Sequence, residues 1–318
     1  MSRCNQGAST SKPTGIHAGG LALRWAAVSL GTVLLLLGGL LGVFFVIRAY
    51  HTSQTSAATC PAISGHGRAA VTASVTPRRA ITWIIGLRDI NLLRHCGASS
   101  SLINIAFNNN HTYVFSLGNT LSKIGIPTAY YTSYAGIRAA FADGALPGRY
   151  KAVIYDNERW NQTPIVEQRS PDYYEHLVAL LLHRHALTYI ATPTPDLTWA
   201  TGKPNKGSYN AYLRRNIAAD AARYANVIDV QGQVRETNLP MFASFVTAAV
   251  RQARQANPDV MVLIGLRTNP LPYKGTAANR KLYAAYKAVA NFADGYWLNV
   301  NGHPKPAIYL LTKIYGES

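Results

Sequence analysis

"KAVIYDNERW", residues Lys151–Trp160, climbs from an apolar, β-forming run straight into Asp156, Asn157, Glu158 and Arg159. Seven other runs share its length and its richness in β-branched and aromatic residues: "ITWIIGL" (81–87), "LINIAF" (102–107), "IPTAYYT" (126–132), "ALTYIATP" (186–193), "NVIDVQGQ" (226–233), "VMVLIGLRT" (260–268) and "DGYWLNV" (294–300). Stretches with helical spacing lie between most of them. Ser170-Pro171-Asp172 supplies an N-cap, a first-turn proline and a first-turn acid ahead of "YYEHLVALLLHRH". Pro240 opens "MFASFVTAAVRQARQA", and "SYNAYLRRNIAADAARY" and "TAANRKLYAAYKAVANFA" predict two further helices. Eight strands alternating with helices over roughly 240 residues predict an α/β fold, the (β/α)₈ TIM-type barrel, for residues 80–318. The competing open, doubly wound sheet more often carries a glycine-rich phosphate loop after its first strand, and none follows residues 81–87.

Such barrels build their active sites at the carboxyl ends of the strands. Strand side chains alternate, so Asp156 and Glu158, two apart, share a face. Two close carboxylates shift each other's proton affinity, and one stays protonated near neutral pH while the other ionises. Glu158 is therefore the candidate general acid and Asp156 its electrostatic partner. Polyhydroxylated rings are held by aromatic faces and by amide or carboxylate hydrogen bonds. The candidate substrate-binding residues are Asn157, Trp160, Tyr131, Gln231, Asn269 and Trp297. Asp89 and Asp196 are further carboxylates within reach of the same end. A purely structural alternative pairs Asp156 and Glu158 with Arg159 or Arg267 to close the barrel top. No cysteine or histidine spacing suggests a metal site, and no cofactor is expected.

A Glu ending the fourth strand of such a barrel resembles the acid of glycoside hydrolases. Asp156-Asn157-Glu158 is similar to the final Asp-x-Glu of the family-18 chitinase-like enzymes. That resemblance implies that Glu158 protonates the glycosidic oxygen while Asp156 supports an acetamido group acting as internal nucleophile. Lys151 and Ile154 stand where that family has two further aspartates, and "DVQGQ" replaces its Met-x-Tyr-Asp. Asn157-Glu158 is also similar to the Asn-Glu pair of the large retaining-glycosidase clan, whose nucleophilic Glu ends the seventh strand; here that strand reads "VMVLIGLRTNP", without a carboxylate. The wider string "YDNERWNQTPIVEQRSP" resembles membrane-tethered or secreted bacterial barrel proteins, which implies a fold and no particular activity. The expected function is carbohydrate hydrolysis, with non-catalytic binding of an anionic cell-envelope polymer or glycan as the alternative.

Lys and Arg total 31 against 14 Asp and Glu in 318 residues, a formal charge of +17. Setting aside Arg3, Lys12, Arg24 and Arg48 leaves +13 for the remainder, so the excess is not a tail effect. A surface of this sign prefers phospholipid headgroups, acidic wall polymers or nucleic acid. Placement argues against nucleic acid. "WAAVSLGTVLLLLGGLLGVFFVI" (25–47) holds no charge and is long enough to cross a bilayer as a single helix. Cations crowd the segment before this run, predicting a cytoplasmic tail (1–24), a signal-anchor span (25–47), an extracytoplasmic linker (48–79) and an exported barrel (80–318) in the cell membrane. Gly38 and Gly42 form a GxxxG pair that would suit a homodimer through the span. Cys60 and Cys96 would both lie outside, where a disulfide between them can persist.

Overall fold

The computed structural model describes residues 80–117, 120–198, 208–269 and 272–316. Eight parallel strands close a barrel in sequence order: β1 (Thr82–Gly86), β2 (Tyr113–Phe115), β3 (Ile126–Tyr131), β4 (Ala152–Tyr155), β5 (Thr188–Ala191), β6 (Val227–Val230), β7 (Met261–Arg267) and β8 (Gly295–Asn299). The ring shuts where Thr82, Trp83 and Ile84 of β1 register with Gly295, Tyr296 and Trp297 of β8. Outside it run α1 (Leu87–His95), α2 (Ser100–Phe107), α3 (Tyr134–Ala142), α4 (Ile165–Arg169), α5 (Pro171–His183), α6 (Ser208–Arg214), α7 (Ile217–Ala222), α8 (Leu239–Ala256), α9 (Gly275–Val289) and α10 (Pro304–Tyr315).

Two apolar cores follow from strand alternation. Residues of one parity, including Trp83, Ile85, Val153, Tyr155, Ile228 and Val262, pack outward against the helices. Those of the other, including Ile84, Tyr113, Ile154, Ile190, Leu263 and Trp297, fill the barrel interior. Extending the inner parity one step along three strands puts Tyr130, Asp156 and Gln231 at the mouth.

The second strand lies elsewhere than expected. Residues 102–107 are helical, because Ser99 caps α2 by accepting from the Leu102 N–H (3.1 Å) and Leu102, Ile103, Ala106 and Phe107 recur at helical spacing on its buried face. The strand is instead the three-residue "YVF". The single helix expected from Ser208 is broken into α6 and α7 by Asn216, whose φ of 54° is left-handed. Pro171 opens α5 as expected, although the Ser170 side chain makes no cap bond.

The segments 1–24, 25–47 and 48–79, with Gly38, Gly42 and Cys60, lie outside the described residues. Among the described residues no helix is long and apolar enough to cross a membrane. Cys96 is disulfide-bonded, to a partner outside the described residues.

Candidate active site

Asp156 continues the inner face of β4 just past the last strand residue and is buried. Tyr130 of β3 donates its hydroxyl to Asp156 Oδ2 at 2.5 Å, and Thr192, which follows β5, donates to Oδ1 at 2.5 Å. The Gln231 amide, following β6, donates to Oδ1 at 3.2 Å and to the Thr192 carbonyl at 3.0 Å. Burial pushes the Asp156 carboxyl up to about 6; the three donors pull it back, and the Asp196 charge adds to the rise. A carboxylate holding three donors is the member of the cluster best able to ionise.

Glu158, half-buried, also hydrogen-bonds Gln231. It is pushed up to about 8, first by burial, then by the charges of Asp156 and Asp196 and, more weakly, of Asp229, with the Gln231 bond opposing. At neutral pH Glu158 thus carries a proton beside an ionised Asp156. The charges bearing on it are carboxylates. Arg267 is engaged elsewhere: its backbone N–H donates to Glu236 Oε1 at 2.6 Å and its guanidinium to the Asn269 carbonyl at 3.5 Å. Arg159 donates its backbone N–H to Asp196 Oδ1 at 3.4 Å.

Asp196 opens a short 3₁₀ turn (Pro195–Thr198) after β5 and accepts from the Thr194 hydroxyl. Deeper, Asp229 sits on the inner face of β6, fully buried, and neither of its oxygens has a hydrogen-bond partner among the described residues. Burial, followed by the charge of Asp156, holds it well above the ordinary carboxylate range. Asp89 bonds the backbone of Val300 and is pushed up to about 6, chiefly by burial; it ties the end of β1 to the segment after β8.

The aromatic floor is Phe115, stacked on Tyr130 (centroids 5.3 Å, 22°) and edge-on to Trp297 (5.5 Å, 69°). Trp297 is buried in the inner core, below the opening. Trp160, half-buried, donates its indole N–H to Thr163 Oγ1 at 2.8 Å. Asn157 is fully buried in the loop after β4, where its amide donates to the Glu167 carbonyl at 3.4 Å. Tyr131 has the outward parity and packs against the helical layer, leaving the inner position to Tyr130. Asn269 accepts from Asn301 at 3.5 Å on the rim after β7. The expected residues brought together are therefore Asp156, Glu158 and Gln231. Thr192 and Asp229 were not anticipated; carrying the inner parity two residues past Ile190 and Val227 finds both. Among the described residues no cluster of histidine, cysteine and carboxylate side chains could hold a metal ion.

The chain is a TIM barrel with distant structural similarity to glycoside hydrolases. It is similar to the spore cortex-lytic enzyme SleL of Bacillus megaterium QM B1551, with 10% identity, 79% of this chain and 78% of that chain covered, and a TM-score of 0.44. A psychrophilic glycoside hydrolase family 10 endo-β-1,4-xylanase matches at 13% identity over 54% of this chain and 62% of its own, with a TM-score of 0.37. Bee venom hyaluronidase matches at 15% identity over 57% and 70%, with a TM-score of 0.32. Likenesses this loose carry no argument about activity. No protein-family model matches the chain, and no curated protein matches it.

Proposed function

We propose that the barrel is a carbohydrate-active hydrolase in which Glu158 is the general acid. The observation that supports this reading is the Asp156–Gln231–Glu158 arrangement at the carboxyl end of β4. One amide touches both carboxyls, and their surroundings leave Glu158 protonated beside an Asp156 ionised by three donors. In the reaction, the Glu158 proton passes to the glycosidic oxygen as the bond to the anomeric carbon breaks. Asp156 stabilises the positive charge that develops on the sugar. Asp196 is the carboxylate nearest in role to a base: it would take the proton of the attacking water as the new carbon–oxygen bond forms. Tyr130, Gln231 and the rim residue Asn269 would bind hydroxyls, and Trp160 would offer a sugar-stacking edge.

The test is release of reducing ends from a glycan panel by the full chain. Activity should be lost in Glu158→Gln and strongly reduced in Asp196→Asn; hydrolysis undiminished by Glu158→Gln would sink the assignment. Binding of an anionic polymer at the mouth is the weaker alternative, because the charges gathered there are carboxylates. The proposal includes the placement expected from the sequence, a barrel exported and anchored through 25–47. Protease shaving of intact cells should remove the barrel; complete protection of it would place it inside.

A further inference from the structure

Charge is distributed unevenly along the barrel axis. The carboxyl ends of the strands hold the acid cluster of Asp156, Glu158, Asp196 and Asp229 together with the exposed cations Arg88, Arg169, Lys274 and Lys305. The opposite face is made by the loops that precede the strands and by the last turns of the helices that feed them. Lys123, Lys151, Arg184, Lys287 and Lys313 lie there, Arg251 stands about one turn further up its helix, and all six are exposed. Of the acids on this face, Asp294 is tied to Arg254 at 3.1 Å and Asp220 to Arg223 at 2.7 Å, which leaves Asp143 and Asp259 exposed.

Cations in a last helical turn ordinarily complement the helix dipole, and that accounts for Lys313 and Lys287. It does not account for Lys123 and Lys151, which belong to no helix. Nor does it account for Arg251, which stands with the last-turn Arg254 in a shallow groove of about 400 Å³ beside Val250, Thr247, Gln255 and Phe292. With Arg254 held by Asp294, the exposed Arg251 guanidinium flanked by the apolar Val250 and Phe292 suits a phosphodiester attached to a hydrocarbon. The chain also enters the barrel on this side, since Ala80 and Ile81 lead into the amino end of β1.

We propose that this basic face docks on a bilayer bearing anionic phospholipid, with the exposed Arg251 guanidinium taking a headgroup phosphate and the mouth turned away from the membrane. The proposal is independent of the hydrolytic reading. Each cation close to an anionic bilayer strengthens association by roughly fivefold, so a face carrying six has ample attraction.

The test is amide hydrogen exchange of the full chain reconstituted in vesicles of phosphatidylcholine alone or mixed with phosphatidylglycerol. In the mixed vesicles the amides of 251–260 and 284–294 should be slowed, and those of 156–169 should not. Added salt should reverse the effect. The triple variant Lys151→Gln, Arg251→Gln, Lys287→Gln should weaken docking on the order of a hundredfold. A charge-preserving Lys151→Arg, Arg251→Lys, Lys287→Arg control should retain it, with core strand exchange unchanged in both. Equal protection in phosphatidylcholine alone would overturn the proposal, as would protection centred on 156–169. Stronger protection by soluble poly-glutamate than by phosphatidylglycerol vesicles would assign the face to a polymer and overturn it too.

Discussion

Single side chains decide the chemistry here through burial and like charge. Activity needs Asp156 ionised and Glu158 protonated, so the rate should fall below about pH 6 and above about pH 8, with a plateau between. A pH–rate profile checks this. Thr192→Val removes a donor to the Asp156 carboxylate, and a hydrogen bond to a charged group contributes about 1.5–3 kcal/mol. The acid limb should therefore move up by roughly one to two pH units while the alkaline limb stays in place. Glu158 also leaves a stability signature. Its folded value of about 8 lies above the ordinary 4.5, so the native state holds a proton that the unfolded chain has released. Stability from this group is full below pH 4.5 and declines as pH rises through 8. Glu158→Gln lacks that slope, and denaturant midpoints should show it gaining on the parent at pH 9 but not at pH 4. The acids at the end of "VIYDNE" were legible because alternation and strand position are local. Gln231 was legible too. The shift from Tyr131 to Tyr130 was not, since choosing between adjacent tyrosines needs the parity of the whole strand, which is fixed by Ile126 packing on the inner core and Ala129 on the outer.

At the level of elements, close contacts rather than propensities fix the ring. A Cβ on Gly295 would collide with the Thr82 carbonyl across the β8–β1 seam and with the buried Leu263 of β7 on the other side. Gly295→Ala should cost about 3 kcal/mol or more by chemical denaturation, toward or beyond the upper range for overpacking. A Cβ on Gly265 meets only the far end of the Gln233 side chain, which can swing aside. Gly265→Ala should therefore lower stability far less, by about 1 kcal/mol, while displacing Gln233 from the mouth. The eight-strand count was readable from the alternation of β-rich and helical runs. The position of β2 was not: a three-residue strand gives almost no periodic signal, whereas "LINIAF" is apolar at both spacings. The Ser99 cap tips that run toward helix, and Ser99→Ala should cost about 1 kcal/mol.

Over the whole molecule, net charge was legible from composition but its arrangement was not. A formal +17 says nothing of which face carries it. Only the barrel's direction, with all eight strands parallel, gathers the carboxylates of the site at one end and many of the loop cations at the other. The disulfide at Cys96 adds a second constraint, and reduction should destabilise the fold by about 2–4 kcal/mol, visible as a lower denaturation midpoint under reductant. The chain's last helix returns to its first strand: the Trp83 indole donates to the Tyr315 hydroxyl at 2.7 Å, so the beginning and end of the barrel are neighbours. A ring whose ends meet has no privileged starting point. A short peptide joining Gly316 to Ala80, with new termini opened in the loop between β2 and β3, should yield a circular permutant that folds to the same barrel. In that permutant whatever is fused to either terminus would leave the barrel from the β2–β3 loop instead.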